Sequence, residues 1–257
     1  MPEVTFLVLL AFGCLTGVTT VLFGFGGGFL TVPVVVAVTG DMHVAVATST
    51  AVMVVNSLAA TVAQARAGRI RRSYVWPLIA FIALGAAFGS LAATRLPERV
   101  LHVAFIAYLV ITIVDCLARN GFLHRPLETP RKLGPVTRTA GGVGIGAVAS
   151  ALGVGGSVMT VPLLRRSGLP MTEATAMANP LSAPVALIGT AIYAFAGTGS
   201  AGRAGYVDLI AAAALLCGSI PAIALTRRLT ARIPDRVHAI AYLAMLAGVT
   251  IAMIVTP

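Results

Sequence analysis

The sequence predicts an all-α polytopic membrane protein built from two inverted-topology repeats of about five helical elements each. Hydrophobic residues make up 58% of the 257-residue chain and charged residues 10%, whereas an average soluble domain is about one quarter charged. Several charge-free stretches have roughly the 20 residues that a helix needs to cross a bilayer. Because so few polar side chains are available to cover a surface, this composition excludes a soluble enzyme or a DNA-binding domain.

The apolar segments fall into two series of five. The first comprises 4–23, 29–38, 44–65, 74–94 and 100–117, and the second comprises 136–152, 157–164, 171–197, 206–226 and 237–256. We therefore predict a first membrane repeat at 1–117, a cytoplasmic linker at 118–135 and a second repeat at 136–257 within one integrated transmembrane domain. The N-terminal Met1-Pro2-Glu3 lacks the positive charges of a cleaved signal peptide, so we expect the first segment to remain in the mature protein.

A duplicated motif supports this division. The segment 24–33, GFGGGFLTVP, aligns with 153–162, GVGGSVMTVP, at an offset of 129 residues and with six identities. Farther along, Tyr74 matches Tyr206 and Gly85 matches Gly218 after small length changes. A shared block in a shared segment order indicates that one half arose by duplication of the other.

The distribution of positive charge predicts how the halves are oriented. If each half has five membrane elements, fifteen of the eighteen Lys and Arg residues share one side: Arg66, Arg69, Arg71, Arg72, Arg119, Arg125, Arg131, Lys132, Arg138, Arg165, Arg166, Arg227, Arg228, Arg232 and Arg236. Arg95, Arg99 and Arg203 remain on the other side. With four crossings per half the division is ten to eight. Since cytoplasmic loops are enriched in Lys and Arg, five elements, inverted halves and both termini outside are predicted.

The two short segments indicate where a substrate binds. At 1.5 Å per residue, 29–38 and 157–164 cannot span a bilayer, and each follows a glycine cluster and contains a proline. A broken helix exposes free N–H groups and a partial positive charge, which together form an anion site without Lys or Arg. The alternative is that the glycines only allow close helix packing.

Polar residues in the third and eighth segments extend the candidate site, either by lining a pathway or by bonding between helices; packing is the favoured interpretation for Asn56 and Ser57. The candidate substrate-binding residues are Gly24, Gly26, Gly27, Gly28, Thr31, Thr48, Ser49, Gly153, Gly155, Gly156, Ser157, Thr160 and Asn179. Asp115 and Asp208 are expected to cap helix ends rather than to couple protons. His102 and His238 are expected at the membrane interface.

Other chemistry is not indicated. Cys14, Cys116 and Cys217 form no CxxC or Cys/His cluster and are expected to be buried, so we predict no metal and no cofactor. No Walker loop is present, and Gly155-Gly156-Ser157 is not a nucleophile elbow. The net charge of +10 lies mainly in loops between apolar segments, which argues against nucleic-acid binding.

The paired G-x-G-G-x-x-x-T-V-P blocks, followed by Ala-Val-Ala-Thr-Ser at 45–49, resemble the TauE/SafE family, also called the toluene sulfonate uptake permease family. The resemblance covers nearly the whole chain. It implies transport of small sulfur-containing anions such as sulfite, sulfonates or sulfoacetate, or of related organic anions, across the bacterial inner membrane. The second block departs from the family pattern at Ser157, and Met177-Ala178-Asn179 stands where the first half has Thr-Ser-Thr.

Two functions are therefore compared. The favoured one is a secondary transporter or facilitator that is embedded in the lipid bilayer and has a small anion as its substrate. The alternative is a membrane-embedded enzyme or assembly factor acting on a lipid-soluble substrate, which would need a nucleophile–base or metal constellation. The identity of the anion, the direction of transport, the coupling ion and the presence of a homo-oligomer stay open at this level.

Cysteine labelling tests the predicted topology. On a cysteine-free background, cysteines placed at Arg69 and Arg228 should be protected from an impermeant thiol reagent applied outside, and one at Arg203 should react, because the Arg-rich loops are cytoplasmic. Equal labelling at Arg203 and Arg228 would contradict the inverted arrangement.

Overall fold

The computed structural model describes residues 3–119, 122–123, 130–197, 202–226 and 233–255. Within these ranges the helices are α1 (Glu3–Phe23), α2 (Gly28–Thr39), α3 (Met42–Arg66), α4 (Arg72–Ala93), α5 (Glu98–Ala118), α6 (Gly142–Leu152), α7 (Ser157–Arg166), α8 (Met171–Phe195), α9 (Leu209–Thr226) and α10 (Asp235–Val255). Seven of them, α1, α3, α4, α5, α8, α9 and α10, are long and apolar enough to cross a membrane. The prediction of an all-α polytopic membrane protein is confirmed.

The helices follow the predicted segments closely, with two differences. A π-helical segment, Thr137–Gly141, leads into α6. Ahead of α9, two short antiparallel strands, β1 (Arg203–Ala204) and β2 (Val207–Asp208), replace the predicted helical start at residue 206. Gly205 lies between the strands with a positive φ of 55°, a conformation that favours a turn over a helix.

Both short helices fold back along the helix that precedes them. Val8 and Phe12 of α1 line one cavity together with Val34 and Val38 of α2, and a Cβ atom on Gly27 would lie 3.1 Å from Thr16 Cγ2. The two helices are therefore antiparallel. The 12 residues of α2 reach about 18 Å, which is little more than half of a hydrocarbon layer about 30 Å thick.

The second half repeats this hairpin. Thr137 and Arg166 line one cavity, and Ile145 of α6 approaches Gly156, which precedes α7. The chain thus reverses direction between α6 and α7 as it does between α1 and α2. Each reversal occurs at one copy of the glycine motif.

The two halves interlock through equivalent helices. The most extensive helix contacts are α1 with α9 and α4 with α6, so the first helix of each half packs on the fourth helix of the other. Glycines allow the close approach: Gly13 and Gly17 meet the carbonyl groups of Leu215 and Ser219, and Gly85 and Gly89 meet those of Val143 and Ala147.

Helix directions discriminate between four and five elements per half. The Thr48 hydroxyl accepts from the N–H of Asp208, just before α9, and Asn56 accepts from Ser219 within α9, so α3 and α9 are parallel. Along α8 the order is reversed, since Gly189 approaches Thr50 and Ser182 lies beside Met53. Five elements per half give these directions and four give the opposite ones. The inverted orientation of the halves in a bilayer stays a prediction.

Three of the predicted cytoplasmic loops meet at one end of the molecule. Arg71 pairs with Glu173 at 2.6 Å, and the Arg131 N–H donates to the Ser167 carbonyl at 2.8 Å. These contacts join 66–73 to the first turn of α8 and 130–135 to 165–170. The predicted cytoplasmic residues Arg125, Arg227, Arg228 and Arg232 lie outside the described residues.

Ion pairs close the same end. Arg165 is buried and pairs with Asp235, while Arg166 pairs with Asp115. Asp115 also pairs with Arg119 one helical turn away, at 3.0 Å. Asp115, for which a helix-capping role is predicted, thus forms a small charge cluster with Arg119 and Arg166 between α5 and α7.

The structure also shows the burial and contacts of His238, two cysteines and Asp208. His238 is fully buried near the start of α10, with Nε2 2.6 Å from the Leu22 carbonyl oxygen; its position at the membrane interface stays a prediction. Cys14 and Cys217 are exposed rather than buried. Asp208 does cap α9, because its carboxylate accepts from the N–H groups of Ile210 and Ala211.

Candidate functional site

The two glycine motifs lie against each other inside the protein. A Cβ atom on Gly28 would lie 2.5 Å from the Gly153 carbonyl oxygen. The buried Ser49 hydroxyl lies 3.0 Å from the Gly28 carbonyl oxygen and 2.5 Å from that of Gly153. The predicted convergence of 24–28 with 153–157 is present, and Ser49 of α3 joins the two breaks.

The contacts around the breaks repeat at the offset of the sequence motif. Gly24 meets the Thr175 carbonyl, and Gly153 meets the Val46 carbonyl; both glycine and partner are displaced by 129 residues. An approximate two-fold relation thus connects the breaks.

Two residues at the centre of this arrangement were absent from the predicted site. Cβ atoms on Gly26 and Gly155 would each approach Met53 and Ser182, which are themselves separated by the motif offset. Applying that offset along α3 and α8 was the available signal. The signal is weak because methionine and serine are chemically dissimilar.

Backbone conformation explains why most of these positions are glycine. Gly24, Gly26, Gly27, Gly153 and Gly155 have φ between 65° and 92°, where a side chain is strained. The next glycine differs: the N-cap of α7, Gly156, has a φ of −68°. A Cβ atom there would meet nothing closer than Ile145 Cγ2 at 3.4 Å, so this position accepts a methyl group.

Three predicted polar residues are occupied by structural hydrogen bonds. Thr31 donates to the Gly27 carbonyl at 2.7 Å. The Asn179 amide donates to the Thr20 carbonyl at 3.2 Å, near the end of α1. Thr48 accepts from Asp208 and therefore holds the strand before α9, away from the breaks.

Several buried polar atoms have no hydrogen-bond partner in the part of the chain that the structure describes. Those at or beside the breaks are Ser157 Oγ, Thr160 Oγ1, Asn179 Oδ1 and Asn56 Nδ2. Burying such a group unpaired costs about 1–3 kcal/mol, so these atoms mark positions where a further ligand is chemically favoured. Ser157 and Thr160 lie in the first turn of α7, at its positive dipole end.

The breaks present hydroxyl, amide and backbone groups. Their predicted site residues include no carboxylate, thiol or imidazole, the groups that most metal sites require. Donors at a helix start are suited to an oxyanion.

Equivalent grooves flank the two short helices, and they differ in polarity. A cavity of about 420 Å³ beside α7 is lined in part by Asp115, Arg119 and Arg166. Its counterpart beside α2, about 360 Å³, is lined by apolar residues and glycine. Arg166 stands where the first half has Ala37. Of these two grooves, the one beside α7 is therefore the one lined by basic residues.

Comparison with known proteins decides the family. The family model "Sulfite exporter TauE/SafE" matches residues 9–253, which include both glycine breaks. The chain belongs to this family. It is also 29% identical over 179 residues to a "Probable membrane transporter protein" of Haemophilus influenzae, an alignment covering 66% of this chain and 67% of that protein. No solved structure matches it significantly. The family and relative names point to a multi-pass membrane transporter rather than to an enzyme.

The Ser49 bridge between the breaks gives a stability prediction. Ser49→Ala should lower the free energy of unfolding by about 1–3 kcal/mol, because it leaves a buried carbonyl group without its donor. Denaturant unfolding of the purified protein in detergent measures the change. Ser73→Ala, at an exposed position, is the matched control; equal stability of the two variants would contradict a bridging role.

Proposed function

We propose that this member of the TauE/SafE family is a secondary transporter or facilitator of small sulfur-containing or organic anions, of the sulfite, sulfonate and sulfoacetate class. The anion is held at the paired N-termini of α2 and α7, inside the inner membrane. The Arg-rich end faces the cytoplasm and both chain termini lie outside.

The observation that carries this proposal is the pair of unpartnered hydroxyls at the second break. Ser157 and Thr160 are fully buried, and their side-chain oxygens have no partner among the described residues. An oxyanion accepts from hydroxyl and backbone N–H donors together, and such charge-assisted bonds are about twice as strong as neutral ones. A bound anion therefore offsets the cost of burying these groups.

The first break contributes less through side chains. Gly28 has no hydroxyl where the second break has Ser157. The Thr31 hydroxyl already donates its hydrogen bond to the Gly27 carbonyl oxygen. We infer that α7 makes the main side-chain contacts and that α2 adds backbone donors and its dipole. The two halves thus bind different parts of one substrate.

Binding requires the breaks to separate. Cβ atoms on Gly26 and Gly155 would each lie within 3 Å of Met53 side-chain atoms, so the space between the breaks is filled in this conformation. Methionine is unbranched and adapts its shape readily. We infer that Met53 moves aside when the anion enters.

Access from the cytoplasmic end is supported by the groove beside α7. Arg119 and Arg166 line it together with their partner Asp115, which leaves one excess positive charge. Arg166 lies at one end of α7, and Ser157 and Thr160 lie at the other. An excess of positive charge concentrates anions locally. The apolar groove beside α2 offers no such attraction.

A matched pair of threonines tests the assignment. Thr160→Val should weaken anion binding by about tenfold to a hundredfold, the loss of one hydrogen bond to a charged group, about 1.5–3 kcal/mol. Thr31→Val, at the equivalent position, should bind almost as well as the unaltered protein because its hydroxyl proton is already donated to Gly27.

The measurement has two stages. A thermal-shift screen of the purified protein against sulfite, thiosulfate, sulfonates, sulfate and carboxylates identifies the tightest anion. Calorimetry with that anion then compares the two variants. If no member of the panel binds, the anion proposal is wrong; if Thr31→Val is the weaker binder, the assignment to α7 is wrong.

A further inference from the structure

A cluster of metal-ligand side chains lies at the opposite end of the molecule from the Arg-rich loops. Asp41, His43 and Glu98 each offer one ligand atom, and these atoms lie within 4.8 Å of one another. Asp41 and His43 are at the start of α3, whereas Glu98 begins α5. The cluster therefore joins two segments that are distant in sequence.

The hydrogen bonds of His43 orient its ring for metal binding. Nε2 lies 3.2 Å from the Ala93 carbonyl oxygen and 3.1 Å from that of Leu96. Because carbonyl groups only accept hydrogen bonds, Nε2 carries a proton, and the neutral ring has its lone pair on Nδ1. Metal-binding histidines commonly donate their other ring N–H to such a carbonyl group. Here Nδ1 faces Glu98 Oε1 at 3.9 Å.

The carboxylates keep ligand atoms available. Asp41 Oδ1 caps α3 by accepting from the Val44 N–H at 3.0 Å, while its Oδ2 makes no hydrogen bond to the described residues. The Glu98 side chain is 52% exposed and can rotate toward the ring. The ring itself is held by stacking on Tyr206, with centroids 5.2 Å apart.

We propose that Asp41, His43 and Glu98 form a binding site for Zn²⁺ at the outer end of the protein. Zinc binds imidazole nitrogen and carboxylate oxygen at about 2.0–2.2 Å, and side-chain rotations can bring all three ligand atoms to that distance from one shared ion. Ca²⁺ and Mg²⁺ prefer oxygen ligands throughout, so the histidine selects against them. Three protein ligands leave a fourth position for water.

A bound zinc ion connects the outer loops to the centre of the protein. It ties 39–43 to Glu98, and α3 carries both His43 and Ser49, the residue that joins the glycine breaks. The site is independent of the proposed anion site, since it shares none of its residues.

Zinc titration of the full-length protein tests this site. The protein is purified in detergent with any polyhistidine tag removed and is titrated calorimetrically with ZnCl₂. We expect saturable binding of one ion per chain, much weaker binding of CaCl₂, and at least about a tenfold loss of zinc affinity in Glu98→Gln. His43→Ala should show the same loss. Glu98→Gln is the primary variant because its half-exposed side chain bears little on folding.

His102 provides the control. It lies one helical turn after Glu98, but it is not among the three side chains whose ligand atoms lie within 4.8 Å of one another, and its Nε2 contacts the Met253 carbonyl oxygen in α10. His102→Ala should bind zinc normally. Absence of saturable zinc binding, equal affinity for calcium, or a loss in His102→Ala with none in Glu98→Gln would each overturn the proposal.

Discussion

The requirement that backbone polar groups find partners inside a membrane governs this structure. A helix that is interrupted at membrane depth leaves N–H and C=O groups that lipid cannot satisfy, and this chain interrupts two. The Gly24 and Val154 N–H groups return to the preceding helices, bonding the Thr20 and Ala149 carbonyl groups. Ser49 reaches carbonyl groups of both breaks. These solutions exist because the two halves interlock and exclude lipid from the centre.

The interlocked halves are two copies of one sequence pattern, and differences between the copies make the centre of the protein asymmetric. Substitution of Ser157 for the glycine of the first motif adds a buried hydroxyl. The change from an alanine at position 37 to Arg166 makes one of two equivalent grooves cationic. The approximate two-fold relation brings the helix starts together, whereas the proposed substrate site and its proposed side of access depend on the few residues that differ between the copies.

The sequence predicted the features that repeat or have a regular composition. The lengths of the apolar segments located the seven long helices, and the duplicated glycine block identified both breaks. Contacts between distant segments were not readable. The motif offset relates Met53 to Ser182, but only the packing of α3 on α8 shows that both approach the breaks, and His43 and Glu98 are separated by more than a whole helix. The β1–β2 turn was missed because its strands are only two residues long.

Identical motif residues also acquired different roles. Thr31 and Thr160 occupy the same place in the repeat, yet Thr31 donates to Gly27 while Thr160 Oγ1 has no partner among the described residues. No alignment distinguishes them, because the difference arises from local packing. Likewise, the glycine clusters predicted open backbone, but the structure separates those that a side chain would strain from Gly156, which tolerates one.

Gly156 therefore offers the most direct measurement of the central claim, that an anion binds at the start of α7. A Cβ atom on Gly156 would lie 3.8 Å from Thr160 Cγ2, so Gly156→Ala places a methyl group beside the threonine that the proposal assigns to the anion, without straining the backbone. Gly248→Ala on α10, where a Cβ atom meets nothing within 4 Å, is the control. We expect both variants to fold and Gly156→Ala alone to lose at least about tenfold in anion affinity by calorimetry, equivalent to about 1.4 kcal/mol. Equal affinity of the two variants would contradict a site at the helix start.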